Sequence, residues 1–288
     1  MNYSALIQNR KSSREFSARS VPAAAVSQIE AYYQNGCQRL MPGIATELRI
    51  FGTEAKAALE SAAGYQDFLV GAPNYLVLLS AQDPCAVVNA GYIMEDLILK
   101  LTEMDLGSCW ITFTDSDRVK QALGIQSGMD VAAIAAFGEG VKGLRRLRFN
   151  LLSMKNVDNA AKRQYFAPKK GVYEMAFVDR WGKTDGLDDH IGFYEDMLWE
   201  ALYAASLSPS YLNRQPYGFV VCGSSVTLVE TADAYTDRID GDLDLGVVLL
   251  HFAAAASQWS GHVAWKLGAE AGQLALPEGC RVVATCTL

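Results

Sequence analysis

The sequence predicts an α+β fold in which one unit occurs twice, and three observations carry that expectation. Segments with helical apolar spacing alternate with short strand-forming runs along most of the chain. Asn89-Ala90-Gly91-Tyr92-Ile93-Met94, leading to Trp110, is matched by Asp244-Leu245-Gly246-Val247-Val248-Leu249-Leu250, leading to Trp265, and both Gly-to-Trp spacings are 19 positions. Each of these long helices precedes a terminal strand, Val131 to Phe137 and then Arg281 to Thr287. Landmarks recurring in the same order favour duplication over coincidence.

A helix is expected from Pro22, suited to a first helical turn, to Asn35, closed by Gly36. The strand Leu48–Phe51 follows, and Thr53 opens an alanine-rich helix reaching Gly64. Tyr75 to Leu79 reads as a buried strand between Pro73 and Asp83-Pro84. From Pro84 to Asp105, Val87, Val88, Ile93, Met94, Leu97, Ile98, Leu101 and Met104 recur at helical intervals. Trp110 and Ile111 leave that helix, a short helix runs from Asp117 to Leu123 before Gly124, and the strand Val131–Phe137 closes the unit. In the second half, the helix Phe193–Ser206 and the strand Tyr217–Cys222 correspond to Pro22–Asn35 and Leu48–Phe51. Val247 to Ala256 is apolar on all sides, as expected of a helix buried between two units. The units are placed at 1–149 and 191–288. Residues 150–190 are the linker, with short structure near Val172–Val178 left unplaced.

At 288 residues the chain is about twice a typical domain, and half of it is hydrophobic, which excludes general disorder. Its apolar runs are too short to span a bilayer, and Arg10 and Lys11 follow the N-terminus without a long apolar core, so a soluble, cytoplasmic protein is expected. Six dispersed cysteines with no Cys-x-x-Cys pair read as reduced thiols. A net charge of −7 argues against nucleic acid as a partner. Against that background, arginines confined to two short segments (Arg10 and Arg14; Arg145, Arg146 and Arg148) suggest a small anionic ligand, with solvated surface charge as the competing reading. Their complement is the run Ser208-Pro209-Ser210-Tyr211-Leu212-Asn213-Arg214-Gln215-Pro216, where a helical pattern gives way to a strand through small and amide side chains. It has the character of a docking loop for a planar ligand.

The opening Asn9-Arg10-Lys11-Ser12-Ser13-Arg14-Glu15-Phe16 resembles the Arg-x-Ser-x-Arg-x-Phe strip of the FMN-dependent nitroreductase family. Gly71-Ala72-Pro73, the central helix, Leu106-Gly107-Ser108-Cys109-Trp110-Ile111 and Phe137-Gly138-Glu139-Gly140 follow in family order. In the second half, Ala204 to Tyr217 is similar to the family's Ala-Pro-Ser-x-x-Asn-x-Gln-Pro-Trp signature, with Tyr217 in place of Trp. The whole resembles a tandem group in which two such units are fused. The resemblance implies a mixed or antiparallel sheet flanked by helices in each unit, with the long helices at the interface. It also implies an FMN-dependent NAD(P)H oxidoreductase acting on nitroaromatic or quinone-like acceptors.

By the same resemblance, Arg10 and Ser12 meet the flavin phosphate or ribityl chain, Arg14 the pyrimidine edge, and Lys11 belongs to the same cofactor-binding strip. One of Arg145, Arg146 and Arg148 closes on the phosphate. Ser208, Pro209, Ser210, Asn213 and Gln215 form the docking loop, Trp110 and Ile111 line the flavin, and Cys109 and Thr112 pass near its reactive N5 edge. Family sites lie at a dimer interface. Here the first half has Leu40-Met41-Pro42-Gly43 in place of the loop and the second half lacks the arginine strip, so one composite FMN site per chain is expected, in a monomer imitating a homodimer.

Other groupings point away from chemistry. His251 and His262, 11 positions apart, are separated by about 16 Å along a helix, too far to share a metal, so no metal is expected. With three histidines in the chain, a Ser/His/Asp triad has no support. Asp240, Asp242 and Asp244 read as helix-capping charges. Cys109 has no adjacent His or Lys to lower its pKa and reads as a packed residue, and Trp110 and Phe113 read as packing residues before stacking partners, with a place on the pocket lining open to either. The rival to the enzyme is an FMN- or nucleotide-binding protein without turnover, and beyond it a scaffold with no cofactor. The acceptor and the choice of NADH or NADPH are not encoded in any readable motif.

Overall fold

A computed structural model describes residues 1–66, 68–141, 168–187, 197–268 and 274–288. The first unit contains α1 (Tyr3–Asn9), α2 (Ala23–Asn35), β1 (Thr46–Phe51), α3 (Ala55–Leu59), β2 (Asn74–Ser80), α4 (Ala86–Glu103), β3 (Gly107–Ile111), α5 (Ser116–Leu123) and β4 (Asp130–Gly138). The rest contains α6 (Val172–Met175), β5 (Ala176–Val178), α7 (Met197–Ser206), a 3-10 turn (Tyr211–Asn213), β6 (Tyr217–Cys222), β7 (Ser225–Glu230), α8 (Arg238–Ser260), β8 (Lys266–Leu267) and β9 (Arg281–Thr287).

The strands form two sheets, ordered β1-β2-β4-β3 and β5-β6-β7-β9-β8. Without β5 the two orders are the same, strand for strand. Every pairing is antiparallel except β5 with β6, so the second sheet is mixed. Strand β5 lies inside the expected linker, and with α6 it gives residues 172–178 a place at the edge of the second sheet. The sequence reading omitted α1, the 3-10 turn, β7 and β8; β7 follows β6 through a tight hairpin in which Gly223 has φ +59.

Local signals explain most boundaries. Pro22 caps α2 and Gly36 ends it. Asp115 accepts from the amides of Asp117 and Arg118 to open α5, and Gly124 closes it at φ +65. The alanine-rich helix is shorter than expected. It stops at Leu59 because the Gly64 amide donates to the Thr112 carbonyl (2.8 Å), drawing this stretch out of the helix and onto the end of β3.

Helix α4 is buried on nearly every side, since sheet residues cover one face and α8 the other. Offsetting the first unit by 155 positions superposes Val88 on Leu243, Asn89 on Asp244, Gly91 on Gly246 and Trp110 on Trp265. The offset also governs contacts. The Asn89 side chain accepts from the Met41 amide (2.8 Å), and the Asp244 carboxylate accepts from the Tyr211 amide (2.9 and 3.1 Å). Leu40-Met41-Pro42-Gly43 therefore occupies, against α4, the station that the 208–216 loop occupies against α8. Among the described residues, no helix is long and apolar enough to cross a membrane.

Candidate functional site

Beyond α1, residues 10–16 run extended along the β3 edge of the first sheet. Ser13 donates its amide to the Ser108 carbonyl (2.7 Å), Ser12 bridges Ser108, and Phe16 bridges Gly140. Alternate side chains of an extended segment share one side, which groups Arg10, Ser12 and Arg14. Gly107 permits the close passage, because a Cβ there would lie 2.5 Å from Ser13 Oγ.

Across from the strip, the 208–216 loop is held in a strained shape. Leu212, Asn213 and Gln215 have φ of 48, 58 and 48°, a left-handed region that costs non-glycine residues of the order of 1 kcal/mol or more each. Several hydrogen bonds enforce it. Asp244 holds the Tyr211 amide, Ser210 Oγ accepts from the Gln215 amide (2.9 Å), and Lys169 Nζ donates to the Ser208 carbonyl (2.8 Å). Asn213 Nδ2 donates to the Pro168 carbonyl (2.6 Å).

Between strip and loop lies a cavity of about 1060 Å³. Its wall brings together Arg10, Lys11, Ser12 and Arg14 from the strip, Cys109, Trp110, Ile111 and Thr112 from β3 and its exit, and Pro209, Ser210 and Asn213 from the loop. Ser208 and Gln215 are buried behind that wall. Gln215 Nε2 donates to the Ser206 carbonyl (2.8 Å) and its Oε1 accepts from the Lys170 amide (2.9 Å), so its amide shapes the loop from within. Arg145, Arg146 and Arg148 lie outside the described residues. Phe113 is buried away from the cavity.

Three further residues on the wall were missed. Lys169 belongs to a Pro168-Lys169-Lys170-Gly171 stretch whose composition reads as solvated linker. Asp240 and Asp244 were read as capping charges, but the cap of α8 is Asp237, which accepts from the Asp240 amide (2.9 Å). Asp240 and Asp244 line the cavity instead. Periodicity held the signal: residues 240, 244 and 247 share a helical face with Leu243, on the stripe that meets the first unit.

The cavity's electrostatics are uneven. Burial first, and then Arg10, push Lys169 down to about 8 against the pull of Asp244 and Glu95. Burial raises the Cys109 thiol although Arg14 and Arg10 oppose it, so it is a protonated, packed group. On the other wall, burial pushes Asp240 up to about 6, opposed by the Thr112 hydroxyl (2.7 Å) and reinforced by Asp237. Asp244 is raised well above the usual carboxylate range by burial, despite the Tyr211 amide.

Beneath the strip, Glu95 of α4 is fully buried. It accepts from Trp110 Nε1 (2.9 Å), contacts His251 Nε2 (3.0 Å), and lies 3.5 Å from Arg10 Nε. Burial alone would raise its carboxyl, but the His251 hydrogen bond, Arg10 and Trp110 together hold it below the ordinary value. The cavity wall thus gathers clustered cations, hydroxyls and an indole.

Two similarly ordered sheets and a buried crossing of the two long helices give the chain a nitroreductase-like α+β fold. Residues 2–176 match the family model described as "Putative TM nitroreductase", and the chain belongs to that nitroreductase family. A Thermotoga maritima MSB8 protein of the same description, solved by crystallography, is similar over 100% of this chain and 94% of its own, with 16% identity and a TM-score of 0.59. An FMN-dependent nitroreductase from Clostridium difficile R20291 matches 48% of this chain and 88% of its own at 18% identity, with a TM-score of 0.43. A nitroreductase family protein from Clostridium novyi NT matches 49% and 87% at 17% identity, also with a TM-score of 0.43. No curated protein sequence matches the chain.

Proposed function

We propose that the chain is an FMN-dependent NAD(P)H oxidoreductase of nitroreductase type, reducing nitroaromatic or quinone-like acceptors at one composite FMN site. The observation that carries this reading is the meeting, in one cavity, of the first unit's arginine strip and β3 edge with the second unit's loop. In the same reading the units 1–149 and 191–288 are fused halves of a homodimer joined by 150–190, and the chain is a cytoplasmic monomer whose partners are small-molecule acceptors.

The residues present fit the cofactor. Arg10, Arg14 and Lys169 offer cations to a phosphate or an anionic pyrimidine, and Ser12, Ser210 and Asn213 offer hydroxyl and amide groups to ribityl and ring oxygens. Lys169 is held down partly by Arg10, and an anion between these two cations would relieve that repulsion. FMN, when bound, supplies the passage of electrons from NAD(P)H to the acceptor. Cys109, Trp110 and Ile111 line the site along β3, and the strip keeps positive charge at one end.

The rival reading is FMN binding without turnover. One experiment separates the two. Protein purified without added flavin is denatured and its FMN counted, and the intact protein is mixed anaerobically with NADH and with NADPH. One equivalent of FMN and bleaching of the visible flavin band support the oxidoreductase. A bound flavin that neither nicotinamide bleaches leaves the binding protein, and a colourless protein that takes up no FMN overturns both.

A further inference from the structure

The buried contact between Glu95 and His251 joins the two long helices directly beneath the arginine strip. Neither residue has any exposed surface. His251 Nδ1 lies 3.1 Å from the Ala204 carbonyl, which can only accept, so Nδ1 carries a proton. His251 Nε2 and Glu95 Oε1, 3.0 Å apart, then share one further proton. Wherever that proton rests, the pair has no net charge. The other carboxylate oxygen accepts from Trp110 Nε1. The charged and titratable groups facing Glu95 are Arg10 from the strip, His251 from α8, Lys169 from the segment before α6 and Tyr217 from β6. Of these, Arg10 and Lys169 line the cavity.

We propose that His251 is a positioning residue for the anion site: by sharing a proton with Glu95 it cancels that carboxylate and leaves the charge of Arg10 to the ligand. Without the imidazole, Arg10 would have a fully buried, unbalanced carboxylate 3.5 Å from its Nε. Such a carboxylate demands a counter-ion more strongly than any exposed one, and Arg10 would answer it instead of the cavity. A residue of the second unit thus sets the field at a cation of the first, through the helix pair. The inference rests on the proposed function only for the identity of the ligand, since the electrostatic argument needs only an anion.

The test titrates the cofactor-free full chain with FMN, followed by quenching of flavin fluorescence, and separately with inorganic phosphate, followed by calorimetry. His251→Leu is expected to weaken both by about tenfold or more, the scale of an uncompensated buried charge. The double variant Glu95→Gln/His251→Leu, which removes the carboxylate as well, is expected to recover most of that loss. A merely structural histidine predicts the reverse, with the double variant at least as weak as the single. Unchanged FMN affinity in His251→Leu overturns this inference and leaves the FMN reading standing. Phosphate binding without FMN binding overturns the FMN reading, and the phosphate series then decides the inference. Wild-type protein that binds neither overturns both. Should His251→Leu fail to fold, proton NMR of the wild type decides: His251 is expected to show slowly exchanging protons at both ring hydrogen bonds, and a proton at only one overturns the proposal.

Discussion

Gly91 and Gly246 face each other where α4 crosses α8, and each is pressed against the residue three positions before its counterpart. A Cβ on Gly91 would fall 2.3 Å from the Leu243 carbonyl oxygen, and one on Gly246 would fall 2.0 Å from the Val88 carbonyl oxygen and 2.9 Å from Gly91 Cα. Since 155 positions relate Val88 to Leu243 and Gly91 to Gly246, the two contacts are equivalent under one offset.

Gly246→Ala is therefore expected to be severely destabilising, by about 3 kcal/mol or more, because the added methyl meets backbone rather than a side chain that can turn aside. The urea midpoint of the purified variant checks this. A midpoint within error of the wild type would mean that the helices do not approach this closely.

The matched order of the two halves was legible in sequence because it rests on local landmarks: two glycines, two tryptophans and one spacing. The strip and loop were legible for a similar reason, as short motifs whose residues are adjacent in the chain. The Glu95–His251 contact was not, because its partners are 156 positions apart and nothing near either predicts the other. The sequence accordingly says of His251 only that it lies too far from His262 to share a metal. Gln215 shows the converse limit: its motif placed it in the loop correctly, while only the fold shows that its amide faces inward to Ser206 and Lys170. Lys169 lay in a segment without periodicity, where no pattern distinguishes a solvated lysine from one pressed into a cavity.

If strip and loop form one site, Arg10→Ala and Ser210→Ala should damage the same binding event from opposite units. Each is expected to lower FMN affinity about tenfold or more, the scale of a lost charge-assisted or buried polar contact. Fluorescence titration should give one equivalent of FMN per chain in the wild type. Loss of binding in one variant with full affinity in the other would separate strip from loop.

Anion affinity should fall as pH rises through about 8. Lys169 is held at about 8 by burial and by Arg10, so it is a cation below that pH and neutral above it. An anionic ligand favours the cation and binds with proton uptake around that pH. FMN titrations on either side of pH 8 should show the fall in the wild type. In Lys169→Met the affinity should start lower and lose this step; an identical step in that variant would exclude Lys169 as its source.

Asp240 is the acidic counterpart, and its effect is on stability. Burial lifts its carboxyl from 3.8 to about 6 despite the Thr112 hydroxyl, so between those values the folded chain holds a proton that the unfolded chain has released. Stability contributed by that proton is present below the lower value and is lost as pH rises through the window. Asp240→Asn keeps an oxygen to accept from Thr112 and removes the buried charge. The variant should have a higher urea midpoint than the wild type at about pH 7, and the two should converge at about pH 4, where the wild-type carboxyl is protonated. Asp242 and Asp244 are raised as well, so the variant retains part of the wild-type slope, and only its difference from the wild type reports on Asp240. A difference that does not change between the two pH values would mean that the Asp240 charge is not what the fold opposes.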